Sequence, residues 1–150
     1  MGIDLEKQWW KMYAPHKVKI AVSGCPRNCA ESGIKDVGVI GVESGWEIYV
    51  AGNGGIKTVV AQFLVKVKTH DEVMEYTGAF LQLYREQARY LDRTVHYVER
   101  VGLEYVKQQM VEDAANRKAL YERLLYALQD EKDPWAKDNV NQREFAALEL

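Results

Sequence analysis

The sequence predicts an α+β domain in which a small, mostly antiparallel sheet is packed with C-terminal helices. Short β-branched runs that end at glycines or turns lie within residues 16–68. Beyond residue 69, apolar residues instead recur at helical spacing. The chain has 150 residues, of which 47% are hydrophobic and 28% charged, so it is long enough for one core with an appended helical segment.

The N-terminal half is predicted to hold one short helix and then the strands. Residues 3–13 are predicted to form the helix, which ends before Pro15 because the position preceding a proline is disfavoured in a helix. The strands are predicted from alternating or β-branched apolar residues, and they cover 16–24, 36–43, 46–52 and 63–68.

The C-terminal half is predicted to be helical. Thr69 and Glu72 have the spacing of a capping box that begins a long helix. A second helix is predicted from about Thr94 to Gly102, a residue that suits a left-handed cap. We expect the first helix to bury the stripe Val73, Phe80, Leu83, Tyr84, Ala88 and Leu91. A further stripe comprises Leu103, Val106, Met110, Leu120, Leu124 and Leu128.

The net charge and the N-terminus exclude several classes of partner. A formal charge of −2 argues against a general affinity for nucleic acid or anionic membranes. No apolar run is long enough to cross a bilayer, and the N-terminus lacks the apolar core of a signal peptide. We therefore expect a cytoplasmic protein with neither a nucleic acid nor a membrane as partner. In a reducing cytoplasm, close cysteine pairs serve metal or redox chemistry more often than structural disulfides.

The two cysteines of the chain lie in the stretch "VSGCPRNCAE". Because proline is favoured at the first position of a helix, Pro26 predicts that Cys25 caps a helix and that Cys29 lies one turn later. Both sulfurs would then face one side, where the helix dipole stabilises thiolate. Arg27 and Asn28 add a positive charge and hydrogen-bond donors. This turn would suit an anionic metal–thiolate centre.

The residues alone leave three interpretations of the cysteine pair open. The thiols can be unligated, they can form a redox disulfide, or they can bind a metal or cluster. A redox pair usually has two intervening residues, whereas this pair has three. Zinc and iron–sulfur sites usually take four ligands, and the sequence holds only two cysteines. The three histidines, His16, His70 and His96, show no ligand spacing that would complete a set.

A glycine-rich stretch, "GNGGIK" at 52–57, also allows two interpretations. Its backbone amides and the charge of Lys57 would suit an anion or a cofactor. Alternatively, Asn53–Gly54 simply forms the bend of a hairpin.

Most of the chain resembles a known family. Residues 17–57, which contain "SGCPRNCAESG", resemble the second cysteine segment of the sirohaem-containing nitrite and sulfite reductases. Residues 78–135, which contain "YREQARYLDRTVHYVERVG", resemble the C-terminal end of the large subunit in the NAD(P)H-dependent assimilatory nitrite reductases. The resemblance covers roughly residues 3–135.

The resemblance implies roles for six residues. In the family, four cysteines in two pairs bind a 4Fe–4S cluster, and the last of them also bridges the cluster to the sirohaem iron. Cys25 and Cys29 would therefore be cluster ligands, and Cys29 would also be the sirohaem ligand. Arg27 and Asn28 would bind cluster sulfurs or sirohaem carboxylates, and Asn53 and Lys57 would lie in a cofactor-facing turn.

The resemblance also implies a division of the chain. Residues 1–112 would be the C-terminal part of the sirohaem/4Fe–4S domain, 113–135 a helical extension, and 136–150 a disordered tail. In the family the first cysteine pair, the substrate-binding basic residues and the FAD- and NAD(P)H-binding domains lie upstream. We therefore expect an inactive fragment that holds no cofactor and can self-associate. The parent enzyme would reduce nitrite to ammonia, and a small subunit is a possible partner.

Other functions remain open at the level of sequence. The cysteine turn is shared with sulfite reductases, so a sulfite reductase domain is the alternative within the family. A non-enzymatic metal module, with a zinc site completed between two chains, and a purely structural interaction domain are the alternatives outside it.

Overall fold

A computed structural model describes residues 1–129, and the chain is an α+β domain as predicted. Its helices are α1 (Gly2–Trp9), α2 (His70–Gln87), α3 (Thr94–Val101), α4 (Leu103–Lys107) and α5 (Ala114–Leu128). Its strands are β1 (Ile20–Ser23), β2 (Val37–Val42), β3 (Gly45–Val50), β4 (Asn53–Gly54), β5 (Thr58–Val59) and β6 (Gln62–Val67). A 3₁₀ turn (Ser32–Ile34) precedes β2, and a π-helical turn (Gln108–Glu112) follows α4.

The main sheet has four strands in the order β1–β2–β3–β6. The β2–β3 and β3–β6 pairs are antiparallel, which confirms the mostly antiparallel sheet, whereas β1 runs parallel to β2. Parallel neighbours need a crossover between them, and residues 24–36 provide it. This crossover carries both cysteines. Strands β4 and β5 form a separate two-stranded hairpin.

The helices bury their apolar stripes in one hydrophobic core with the sheet. Helix α2 begins with the predicted capping box: Glu72 N–H donates to Thr69 Oγ1 over 3.2 Å, and Thr69 N–H donates to Glu72 Oε2 over 2.9 Å. Helix α5 packs against α2, and the core contains Val73, Phe80, Leu83, Tyr84, Leu120 and Leu124. Residues 120–124 are therefore part of the same core as the sheet.

The predicted burial of Leu91 is wrong. Helix α2 ends at Gln87 because Ala88 adopts an extended conformation with ψ 150°. Leu91 then lies in the loop before α3, where it is 58% exposed and has a left-handed φ of 68°. Its N–H donates to the carbonyl of Pro15 over 3.0 Å. The loop conformation therefore takes this leucine off the helical stripe.

Other predicted boundaries differ at the ends of elements. Strand β1 begins at Ile20 rather than at residue 16, and helix α1 ends at Trp9. Helix α3 ends before Gly102, which has φ 86°, as predicted, and α4 begins directly after it. The end of the predicted helical extension and the predicted tail at 136–150 lie outside the described residues. Within 1–129, no helix has the length and apolarity needed to cross a membrane.

The Asp36 carboxylate is fully buried at the start of β2. It accepts hydrogen bonds from Lys19 N–H over 2.8 Å, from the Arg93 guanidinium over 2.7 and 3.4 Å, and from the Thr94 hydroxyl. Because a buried charge must be paired and hydrogen-bonded, these contacts fix the entrances of β1, β2 and α3 relative to one another.

Replacing Leu83 by alanine tests the α2 core. Leu83 is 2% exposed, so Leu83→Ala should lower the free energy of unfolding by about 2–5 kcal/mol. Leu125→Ala is the matched control, because Leu125 on α5 is 37% exposed and its truncation should cost less than about 1 kcal/mol. Urea unfolding of both variants measures this difference, and equal losses would contradict the packing.

Tyrosine burial predicts a loss of stability in alkali. Burial raises the pKa of Tyr84 to about 12 and also raises the pKa of Tyr97. A free tyrosine has a pKa of about 10, so above that pH the unfolded chain loses a proton that the folded chain retains. Stability should therefore be full below about pH 10 and fall as the pH approaches 12.

Urea unfolding between about pH 8 and about pH 11 measures this dependence. Tyr84→Phe should be less stable near neutral pH, since it loses the hydrogen bond that the Tyr84 hydroxyl donates to the Asp92 carbonyl. Its stability should nevertheless fall less steeply in alkali. An alkaline slope identical to that of the unmodified chain would contradict the assignment to Tyr84.

Candidate functional site

The two cysteines lie in the crossover that follows β1, in a pair of consecutive turns. Asn28 N–H donates to the Cys25 carbonyl over 3.1 Å, and Glu31 N–H donates to the Asn28 carbonyl over 2.8 Å. The predicted helix beginning at Cys25 is wrong, because Asn28 and Glu31 have left-handed φ values of 55° and 56° that a right-handed helix does not allow. The cysteines therefore have no helix dipole of their own to stabilise a thiolate.

Both thiols are free and exposed. An open depression of about 440 Å³ lies beside Cys25, between the start of the crossover and the β2–β3 turn, and Trp46 lines its far side. The loop thus presents both sulfur atoms at the surface, where another group can reach them.

The crossover lies unusually close to β2. A Cβ atom on Gly38 would lie 2.0 Å from the Ser32 carbonyl oxygen, and one on Gly41 would lie 2.6 Å from the Gly24 carbonyl oxygen. Only glycine allows these approaches, so the two strand glycines set the height of the cysteine loop above the sheet.

A small polar cluster lies beneath the cysteine loop. Ser23 and Ser32 are buried, at 3% and 0% exposure, and their hydroxyl oxygens are 2.9 Å apart. The Asn28 side chain joins them from the loop itself. Neither serine is predicted from the sequence, because nothing in their spacing shows that a hydroxyl at the end of β1 meets one in the 3₁₀ turn.

The charged and polar residues predicted to contact a cofactor lie in two places. Arg27 is exposed between the cysteines, whereas Asn53 and Lys57 lie in the β4–β5 hairpin, where Asn53 Nδ2 donates to the Lys57 carbonyl over 2.9 Å. The bend lies at 55–57 rather than at Asn53–Gly54, which forms strand β4. The cofactor contacts of Arg27, Asn28, Asn53 and Lys57 stay predictions.

The hairpin lies next to the segment that follows the cysteine loop. Gly52 N–H donates to the Lys35 carbonyl over 2.9 Å, and Ala61 N–H donates to the Gly33 carbonyl over 2.8 Å. Both flanks of the hairpin are therefore fixed to residues 33–35. The hairpin with Asn53 and Lys57 consequently lies on a segment next to the cysteine loop with Arg27.

The three histidines make their contacts outside the cysteine loop. His16 Nδ1 accepts from Lys17 N–H over 2.8 Å, His70 lies 3.8 Å from Asp4, and His96 is exposed on α3. Among residues 1–129, no group of three or more His, Cys, Asp or Glu side chains is arranged to hold a metal. A 4Fe–4S cluster takes four protein ligands, usually thiolates, so Cys25 and Cys29 fit half of such a site.

These features define an α+β domain that presents two exposed cysteine thiols on a crossover loop. The chain belongs to the family described as the nitrite and sulphite reductase 4Fe-4S domain, which matches residues 2–118. The predicted family is thus confirmed.

Several curated relatives are similar to this chain in sequence. The NAD(P)H nitrite reductase of Bacillus subtilis is 55% identical over 135 residues, which is 90% of this chain and 17% of the relative. The NADH nitrite reductase large subunit of Escherichia coli is 37% identical over 115 residues, or 75% of this chain and 14% of the relative. The assimilatory-type sulfite reductase of Nitratidesulfovibrio vulgaris is 32% identical over 108 residues, or 72% of this chain and 50% of the relative. The chain therefore spans a small part of the nitrite reductases that it matches.

The close approach at Gly38 predicts the cost of adding a single methyl group. Gly38→Ala should lower the free energy of unfolding by about 1–3 kcal/mol, because the Ser32 backbone must move to make room. Gly24→Ala is the matched control, since a Cβ at Gly24 meets no atom within 4 Å and should cost less than about 0.5 kcal/mol. Urea unfolding compares the two, and equal stabilities would contradict the close approach.

Proposed function

We propose that the chain forms part of the redox-centre domain of an assimilatory nitrite reductase. In the reaction, one nitrite ion takes up six electrons and seven protons to give ammonia and two waters, and three NAD(P)H molecules supply the electrons. The observation that carries this proposal is the exposed Cys25–Cys29 loop in a chain of the 4Fe-4S domain family. The nitrite reductases among its relatives support nitrite as the substrate.

In this proposal Cys25 and Cys29 would be two of four cluster ligands, and Cys29 would also hold the sirohaem. The remaining two thiolates come from polypeptide outside these 150 residues, because the sequence holds no other cysteine. When bound, the cluster and the sirohaem supply single-electron transfer to nitrite. The protein holds the thiolates at the surface of the sheet, where the second half of the ligand set can approach.

The positive charges near the loop support binding of an anionic cofactor. Arg27 and Lys57 are exposed and make no ion pair within residues 1–129. Lys35 differs, because it pairs with Glu31 over 3.0 Å and its charge is compensated. Arg27 and Lys57 are therefore the side chains that we assign to sirohaem carboxylates or cluster sulfurs, with Asn28 and Asn53 as polar contacts.

We further propose that residues 1–112 belong to the sirohaem/4Fe–4S domain and that 113–135 extend it. The complete enzyme would use FAD- and NAD(P)H-binding domains and act in the cytoplasm, and a small subunit would be a partner. Sulfite reduction is the second candidate function, because the relative in Nitratidesulfovibrio vulgaris is a sulfite reductase and shares half of its length with this chain.

A chimera tests the proposed function. This chain would replace the matching segment of the 55% identical Bacillus subtilis nitrite reductase. We expect the chimera to form ammonia from nitrite with NAD(P)H. Cys25→Ser and Cys29→Ser should both lose iron and activity, whereas Ser44→Ala, an exposed turn residue, should change neither. A chimera that binds iron and sirohaem but reduces only sulfite would favour the second candidate. A loaded chimera that reduces neither anion would contradict the proposal.

The isolated chain provides an independent check of the ligand count. After anaerobic reconstitution with iron, sulfide and sirohaem, it should show no stable sirohaem band and less than a full cluster, since it supplies two thiolates. An iron assay giving about four irons per single chain, together with that band, would show that these two cysteines suffice.

A further inference from the structure

The polar cluster beneath the cysteine loop consists of Ser23, Asn28 and Ser32. Ser23 ends strand β1, Ser32 begins the 3₁₀ turn, and Asn28 lies between the two turns of the loop. The serines are nearly inaccessible, at 3% and 0% exposure, while Asn28 is half-buried. The cluster thus joins both ends of the cysteine loop to its middle.

One assignment of donors and acceptors satisfies every hydrogen bond of this polar cluster. Gly33 N–H donates to Asn28 Oδ1 over 3.2 Å, which fixes the orientation of the amide. The Ser23 hydroxyl must then donate to Asn28 Oδ1 over 3.3 Å, because that oxygen only accepts. The Ser32 hydroxyl therefore donates to Ser23 Oγ over 2.9 Å, and Ala30 N–H donates to the same oxygen over 3.3 Å.

Ser23 Oγ is consequently saturated, with one hydrogen bond donated and two accepted. A buried hydroxyl that loses such partners incurs a desolvation cost, so the cluster favours a single path of the loop. The left-handed φ of 55° at Asn28 acts in the same direction, since asparagine adopts this region more readily than most residues. The Asn28 Oδ1 atom is thereby directed to the interior of the loop that carries the two cysteines.

We propose that Ser23, Asn28 and Ser32 are positioning residues that fix the path of the cysteine loop before any metal or cluster binds. They touch neither thiol through their hydrogen bonds; they act by holding the backbone that carries Cys25 and Cys29. Ligands held in their bound arrangement lose less conformational entropy on binding. The polar side chains of Ser23, Asn28 and Ser32 therefore raise the affinity of the two thiols for a metal. This inference rests on the proposed function in taking the two cysteines as metal ligands.

Cadmium binding to the reduced 150-residue chain measures this preorganisation. Cd²⁺ binds thiolates and gives a sulfur-to-metal charge-transfer band, and Cys25→Ser/Cys29→Ser provides the baseline. Asn28→Gly keeps the left-handed backbone but removes the amide, and Ser23→Ala removes the central hydroxyl. Each should weaken cadmium binding about 10-fold, as loss of a supporting contact around a metal ligand typically does.

The double variant distinguishes a connected cluster from two independent effects. If Ser23 acts through Asn28, Ser23→Ala/Asn28→Gly should weaken binding about as much as either single change. Ser44→Ala, an exposed serine of the β2–β3 turn, is the matched control and should bind cadmium as the unmodified chain does. Affinities unchanged in both single variants, or no thiol-dependent binding in the unmodified chain, would overturn the inference.

Amide hydrogen exchange provides a second readout that does not involve metal. The Ala30 amide should exchange faster in Ser23→Ala, and the Gly33 amide should exchange faster in Asn28→Gly, because each loses its acceptor. Faster exchange without weaker cadmium binding would reduce the cluster to a purely structural role and overturn the positioning assignment. Weaker cadmium binding in the variants, together with a loaded but inactive chimera, would preserve this inference and remove the proposed function.

Discussion

The buried Asp36 carboxylate is the constraint on which the placement of the cysteine loop depends. It accepts hydrogen bonds from the backbone just before β1 and from side chains at the start of α3, and it lies directly before β2. Ile20 and Val37 are consequently aligned as the first pair of the parallel strands. Removing one partner from a buried ion pair costs about 3–5 kcal/mol, so this register is strongly enforced. The start of β1 and the end of the crossover are thus fixed at one point.

Between these fixed ends, the path of the crossover is determined by its contacts with the sheet rather than by its own helix propensity. The absence of side chains at Gly38 and Gly41 lets its backbone approach β2, and the Ser23 hydroxyl fills the space beneath the loop with satisfied hydrogen bonds. The hairpin after β3 then bonds to residues 33–35 from the other side. The path of this loop therefore depends on residues of the sheet that carry no reactive group.

The surface chemistry of the loop is consistent with a shared cofactor site. Two exposed thiols, the exposed charges of Arg27 and Lys57, and an open depression beside Cys25 lie on neighbouring segments. A cluster needs more ligands than the loop has, and an open site leaves room for them. Family membership and the exposed cysteine pair thus agree with each other, since the family is described as a 4Fe-4S domain.

The sequence by itself determined the features that depend on a few consecutive residues. The capping box of Thr69 and Glu72, the break at Gly102 and the β-branched runs that form the main strands are local, so spacing alone predicts them. The spacing of the two cysteines is likewise visible in the sequence. Only the tertiary structure decided that Asn28 leaves the helical region and that Ser23 and Ser32 meet beneath it. These outcomes depend on the parallel pairing of β1 with β2 and on the close approach at Gly38, which join residues distant in sequence.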